Sequence, residues 1–214
     1  SGSAYIFKRN GSTWTQQQKL TASDGASNDL FGSSVSLYED YALIGAYWDD
    51  DNGYNSGSAY IFKRNGSTWT QQQKLTASDG ATYDIFGYSV SLYKDYALIG
   101  AYGDDDNGNA SGSAYIFKRN GSTWTQQQKL TASDGASDDY FGESVSIYKD
   151  YALIGAYGDD DNDNGSNSGS AYIFKRNGSI WNQQQKLIAS DGASNDHFSD
   201  SVSLYGDYAL IGAS

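Results

Sequence analysis

Proline, cysteine and methionine are absent from the 214 residues, and histidine occurs once. Without cysteine there is neither a disulfide framework nor a thiolate metal site, and the redox compartment is left open. A lone histidine, His197, excludes a histidine-based triad and a multi-histidine metal centre. Positive charge is scarce as well: 14 Lys and Arg stand against 26 Asp and Glu, for a net charge of −12. Such a surface repels phosphate backbones and anionic headgroups, so nucleic acid is not an expected partner. No apolar run approaches the ~18 residues of a membrane-spanning helix, and membrane insertion is not expected. Helical periodicity is missing too. The 25 glycines are scattered, and Val, Ile, Tyr and Thr fill the apolar runs, which argues for strands.

What is present is repetition. The string SAYIFKRNGS recurs with its tyrosine at Tyr5, Tyr60, Tyr115 and Tyr172, a period of about 55 residues. A period of that size marks an array whose units bury their apolar faces against neighbours, so the chain reads as one domain, residues 1–214. Each unit contains four short runs, here called a to d. In one copy they are Phe31–Tyr38, Tyr41–Tyr47, Ala59–Arg64 and Thr68–Ala77. Turn chemistry separates them, including an Asn65-Gly66 pair between c and d that reads as a two-residue hairpin. Run b, YALIGA, is apolar on both faces, as in a strand sandwiched between sheets.

The expected fold class is all-β: a β-propeller of four-stranded antiparallel blades. The chain opens on c and d (Ala4–Ala22), gives three full sets (repeats at about 31–85, 86–140 and 141–197), and ends on a and b (Phe198–Ala213). The split halves, 198–214 plus 1–30, add up to a fourth blade. Pairing of the first and last segments would close the ring and remove its edge strands. The alternative is two chains forming an eight-bladed ring. Ser1–Phe7 begins inside a repeat and carries no signal-peptide pattern, which suggests a piece of a longer array.

Phe-Gly at the start of run a and Gly-Ala at the end of run b recur together: Phe31-Gly32 with Gly45-Ala46, Phe86-Gly87 with Gly100-Ala101, and Phe141-Gly142 with Gly155-Ala156. The fourth copy reads Phe198-Ser199 with Gly212-Ala213. This pattern resembles the FG-GAP repeat family, the blades of integrin-type propellers and of bacterial surface proteins. The resemblance implies a non-catalytic structural, adhesive or binding module, extracellular or at a cell surface. Two departures stand out. The family's proline is Tyr47, Tyr102, Tyr157 and Ser214 here, and the a–b link that carries the family's calcium loop is only Glu39-Asp40 or its counterparts.

Antiparallel order brings the b–c and d–a loops to one end of every blade, and both are rich in aspartate. Clustered carboxylates suit calcium, which makes Asp49, Asp51, Asp104, Asp106, Asp159, Asp161 and Asp163 the candidate metal ligands, although Asp, Asn and Gly are also what solvated turns use. The opposite end carries Lys8-Arg9, Lys63-Arg64, Lys118-Arg119 and Lys175-Arg176. Trp14, Trp69, Trp124 and Trp181 are expected to pack against neighbouring blades, and His197 to fill a structural slot. Trp48, in a single repeat on the acidic side, is the candidate ligand contact, and a glycan-binding propeller is the second functional reading. The partner is thus an unknown protein or glycan, with self-association suggested by the opposed charge of the two ends. Catalytic residues would have to differ between repeats, and the differences are slight, so an enzyme ranks last.

Overall fold

The computed structural model describes residues 1–160 and 164–214. Among these the fold is all-β, with sixteen strands and no helix. Three sheets have four strands each. The first holds β3 (Val35–Tyr38), β4 (Tyr41–Ala46), β5 (Ser58–Asn65) and β6 (Thr68–Leu75). The second holds β7 (Val90–Tyr93), β8 (Tyr96–Ala101), β9 (Ser113–Asn120) and β10 (Thr123–Leu130). The third holds β11 (Val145–Tyr148), β12 (Tyr151–Ala156), β13 (Ser170–Asn177) and β14 (Ile180–Leu187). All are antiparallel meanders in the order a, b, c, d. Two half-sheets flank them: β1 (Ala4–Asn10) with β2 (Thr13–Leu20), and β15 (Ser201–Tyr205) with β16 (Tyr208–Gly212). The halves remain separate two-stranded sheets, so the expected pairing of first and last strands into a fourth sheet is not formed.

Two local details differ from the sequence reading. Strand c runs one residue further into its hairpin: Asn65 pairs with Thr68, and the central pair is Gly66-Ser67. Only Gly66 has positive φ, at 63°, which suits a turn of type II′ with glycine in the first central place, while Asn65 stays extended. Run a is also shorter than expected. Its ladder starts at Val35 because Gly32, at φ 94°, turns the chain after Phe31 has been inserted into the core.

Apolar packing lies between sheets rather than within them, as the period demanded. Tyr41, Leu43 and Ile61 of the first sheet meet Leu92, Ile99, Tyr115, Phe117 and Trp124 of the second in one buried cluster. Tyr96, Leu98 and Ile116 of the second meet Ile154, Tyr172, Phe174 and Trp181 of the third in the next. Each strand b thus offers one parity of its side chains to the sheet before it and the other to the sheet after, which is why YALIGA does not alternate. The Trp series behaves as expected where a full sheet surrounds it: Trp69, Trp124 and Trp181 are buried.

Side-chain amides reinforce the stacking. Gln18 Nε2 donates to the Trp69 carbonyl at 2.7 Å, and the Trp69 N–H donates back to Gln18 Oε1 at 2.8 Å. Gln73 grips Trp124, and Gln128 grips Trp181, in the same way. Each glutamine therefore satisfies the backbone of an outer edge strand that would otherwise be open for pairing. Gln73→Ala is expected to cost about 1–3 kcal/mol, since a part-buried N–H and C=O lose their partner together; chemical denaturation of the pure protein measures it.

Candidate functional site

The two aspartate-rich loops do meet. The d–a loop supplies Asp24 and the b–c loop supplies Asp49 and Asp51, and all three ion-pair with one ammonium, Lys74 of β6. Asp49 is buried. It accepts from Ser58 Oγ at 2.9 Å, from the Tyr60 hydroxyl at 3.0 Å and from Lys74 Nζ at 3.0 Å. The second repeat builds the same node from Asp79, Asp104, Asp106, Ser113, Tyr115 and Lys129, and the third from Asp134, Asp159, Ser170, Tyr172 and Lys186. Burial works against each ammonium, yet the surrounding carboxylates hold all three lysines above their ordinary pKa.

Asp79, Asp104 and Asp106 bring carboxylate oxygens within 4.8 Å of one another, close enough to hold a metal ion. Lys129 Nζ lies at 2.8, 2.7 and 2.6 Å from those same three residues. The candidate ligands Asp49 and Asp51 thus ion-pair with Lys74, Asp104 and Asp106 with Lys129, and Asp159 with Lys186, so a cation at these nodes would share them with a protein ammonium. Asp161 and Asp163 lie outside the described residues. The basic end is likewise matched in charge: Arg64, Arg119 and Arg176 each ion-pair with the aspartate of the a–b turn, at Asp40, Asp95 and Asp150. Each of these arginines is thus matched within its own sheet, while the acidic nodes keep more carboxylates than ammonium groups.

A different place gathers what varies. The third residue of the FG motif is Ser33, Tyr88, Glu143 and Asp200 in the four copies. All four line one pocket of about 430 Å³ where the inner strands converge, with Ser34, Ser89, Ser144 and Ser201 beside them. Glu143 is pushed up to about 7, first by burial and then by the charge of Asp200, with the Tyr88 hydroxyl opposing the rise. Its Oε2 atom is buried without a hydrogen-bond partner among the described residues. Tyr88 is in turn pushed up to about 12, by burial first and then by Glu143.

Aromatic rings run past this pocket in an unbroken arc. Trp48 meets Tyr47 at 5.8 Å between centroids, Tyr47 meets Tyr88 at 5.1 Å, and Tyr88 meets Tyr102 at 4.7 Å. The arc continues through Tyr140 and Tyr157, stacked at 5.0 Å, to His197 at 5.4 Å. Trp48, 40% exposed, ends the arc as an accessible ring. His197 has φ 46°, as do Leu30, Ile85 and Tyr140 at similar values, so its slot is a left-handed turn that positions a ring beside Tyr157. Sequence reasoning took Tyr47, Tyr102 and Tyr157 only as lost prolines and did not single out the Ser33/Tyr88/Glu143/Asp200 position. The available signal was a position that carries a different residue in each of four otherwise near-identical repeats.

Ser199, where the other copies have glycine, is a change the structure explains. It keeps the unusual φ of 85°, while its hydroxyl donates to the Ser170 carbonyl and accepts from the Ala156 N–H at 2.6 and 3.0 Å.

Successive four-stranded meanders stacked through their faces, with loops converging on an axial pocket, define a tandem β-sheet repeat protein of propeller type. The model of the FG-GAP repeat matches at residues 14–62, 69–117, 124–174 and 181–214, and the chain belongs to that family. The first three matches run from strand d of one sheet through a, b and c of the next, and the fourth runs through d, a and b, so the family's unit straddles the inter-sheet contacts. No curated protein matches the chain.

Proposed function

We propose that the chain is a non-catalytic binding module of an extracellular or cell-surface repeat protein, which engages its partner at the axial pocket. The observation that carries this reading is the union of the aromatic arc with the Glu143–Asp200 acid pair at a position that differs in all four repeats. Carboxylates in a concave, partly desolvated site attract a basic group, and tyrosine faces complement it by cation–π attraction. The ligand class is therefore a protein partner presenting a lysine or arginine. The reading includes the propeller proper, a closed ring of four-stranded blades around that axis. Binding of a basic peptide, followed by calorimetry, is expected to weaken at least about ten-fold in Glu143→Gln, since hydrogen bonds to charged groups contribute about 1.5–3 kcal/mol. Unchanged affinity would sink the assignment of the pocket.

Trp48 favours the second reading, a glycan ligand stacked on the exposed end of the arc. A glycan array separates the two: sugar binding lost in Trp48→Ala but kept in Glu143→Gln supports the lectin reading.

The pocket also makes stability depend on pH. A carboxyl whose folded pKa lies above its unfolded one binds a proton more tightly when folded, so its contribution is complete below the unfolded value and is lost as pH rises through about 7. The melting temperature is expected to fall between about pH 5 and 8, and Glu143→Gln is expected to flatten that fall.

Calcium at the Asp79–Asp104–Asp106 node would have to displace the Lys129 ammonium. The melting temperature is therefore expected to be the same in chelator and in millimolar calcium. Lys129→Met frees the three carboxylates, and there calcium at 100 times its Kd would stabilise by about 2.7 kcal/mol. A calcium-dependent rise in the unaltered protein would reinstate it as a native ligand.

A further inference from the structure

The two half-sheets leave complementary surfaces bare. Phe7 is 52% exposed where its counterpart Phe62 is 4%, and Leu210 is 75% exposed where Leu43 is 0%. A groove of about 550 Å³ lies beside β1, lined by Ala4, Ile6, Phe7, Leu20, Val35 and Leu37. It occupies the place that strands a and b fill in a full sheet. At the other end a groove of about 310 Å³, lined by Tyr151, Ile173, Leu187, Leu204 and Tyr208, occupies the place of strands c and d.

We infer that a second copy of this chain fills each groove, with β15–β16 of one copy adding to β1–β2 of the next as a single four-stranded sheet. This rests on the propeller reading above. The register follows from the intact sheets, where Tyr41 faces Lys63, Leu43 faces Ile61 and Gly45 faces Ala59. Tyr208 of one copy then faces Lys8 of the other, Leu210 faces Ile6, and Gly212 faces Ala4.

Charge and hydrogen bonding fit the same register. Lys74, Lys129 and Lys186 each pair with the aspartate of the preceding d–a loop at 2.8 Å. Among the described residues Lys19 has no carboxylate, and Asp191, the fourth aspartate of that series, has no ammonium. The arginine–aspartate pairs of the three full sheets leave Arg9 and Asp207 over in the same manner. The glutamine grip leaves Gln185 without a strand and the backbone of Trp14 without a glutamine. Tyr38, Tyr93, Tyr148 and Tyr205 form a ladder at 5.0–5.1 Å whose last ring is 74% exposed, ready for Tyr38 of the next copy. One rigid addition satisfies all of these.

The occupant is a second copy rather than the chain's own far end because of curvature. The inner strands stack in order, β3 on β7, β7 on β11 and β11 on β15. After four of them the arc has not returned to its start: Val35 and Leu37 of β3 remain 61% and 62% exposed. Within these 214 residues the arc stays open after four inner strands, and two copies of them together supply eight. A head-to-tail contact of this kind closes into a ring when the rotations add up, and closure leaves no half-sheet unpaired.

The test is the mass of the 214-residue chain in solution by sedimentation, expected at twice that of one chain. Phe7→Lys and Leu210→Lys sit on opposite sides of the junction and change exposed side chains, so each variant keeps the strand signature in circular dichroism. Each alone is expected to associate at least ten-fold more weakly. Mixed in equal amounts they are expected to form pairs again, through the one junction that both leave intact. Association of each variant alone at undiminished strength, or no pairing on mixing, overturns the inference. So does a single-chain mass for the unaltered protein, in which case amide exchange separates the consequences. Protected β1 and β16 amides would mean that the chain closes on itself and the propeller reading stands; unprotected ones would remove both.

Discussion

Gly100→Ala is expected to cost at least about 3 kcal/mol and to lower the melting temperature by roughly 6–12 °C, in a scan of the pure protein. A Cβ at position 100 would stand 1.8 Å from the Gly142 carbonyl oxygen and 2.3 Å from Ser89 Oγ. The oxygen belongs to backbone at the entry to the next sheet, so relief requires moving one sheet from its neighbour. Gly66→Ala is the control. There φ is 63° and nothing lies within 4 Å, so only the left-handed conformation is disfavoured, by about 1 kcal/mol. Equal losses at the two positions would mean that sheet-to-sheet approach is not what the Gly-Ala motif provides.

The second large effect is at the ion-pair nodes. Asp104→Ala removes a carboxylate that is 3% exposed and leaves Lys129, Tyr115 and Ser113 turned toward a cavity. Breaking a buried pair from one side costs about 3–5 kcal/mol, because the remaining charge is uncompensated. Asp79 and Asp106 still neutralise Lys129, which places the expectation at the lower end. Asp104→Leu combined with Lys129→Met is expected to lose less than Asp104→Ala alone, since the carboxylates then left unpaired, Asp79 and Asp106, are solvated. The comparison is made by urea denaturation. A double variant worse than the single would show that the pairing of Lys129 with Asp79 and Asp106 contributes more than the loss of its buried partner costs.

The strands, their order and their antiparallel sense were legible because SAYIFKRNGS and YALIGA repeat, and a repeat that is apolar on both faces can only lie between copies of itself. The aspartate loops were legible as neighbours for the same reason: antiparallel order puts both at one end. Their chemistry was not. Lys74 lies 25 residues from Asp49 and 50 from Asp24, and nothing in the spacing shows a strand-d lysine reaching into an acidic loop face. Closure was read from counting strands, which fixes complementarity but not curvature, and curvature is set by how closely successive inner strands approach. The axial pocket was missed because Tyr88, Glu143 and Asp200 are far apart in sequence and meet only through the inner-strand stack.

The placement of apolar clusters between sheets has a genetic corollary. Excising one whole period from the interior brings together two surfaces that match as well as those removed, so recombination among near-identical copies shortens or lengthens the array without unsettling what is left. Copy number is then free to vary, and the ring that finally forms is chosen by how many periods a given chain brings to it.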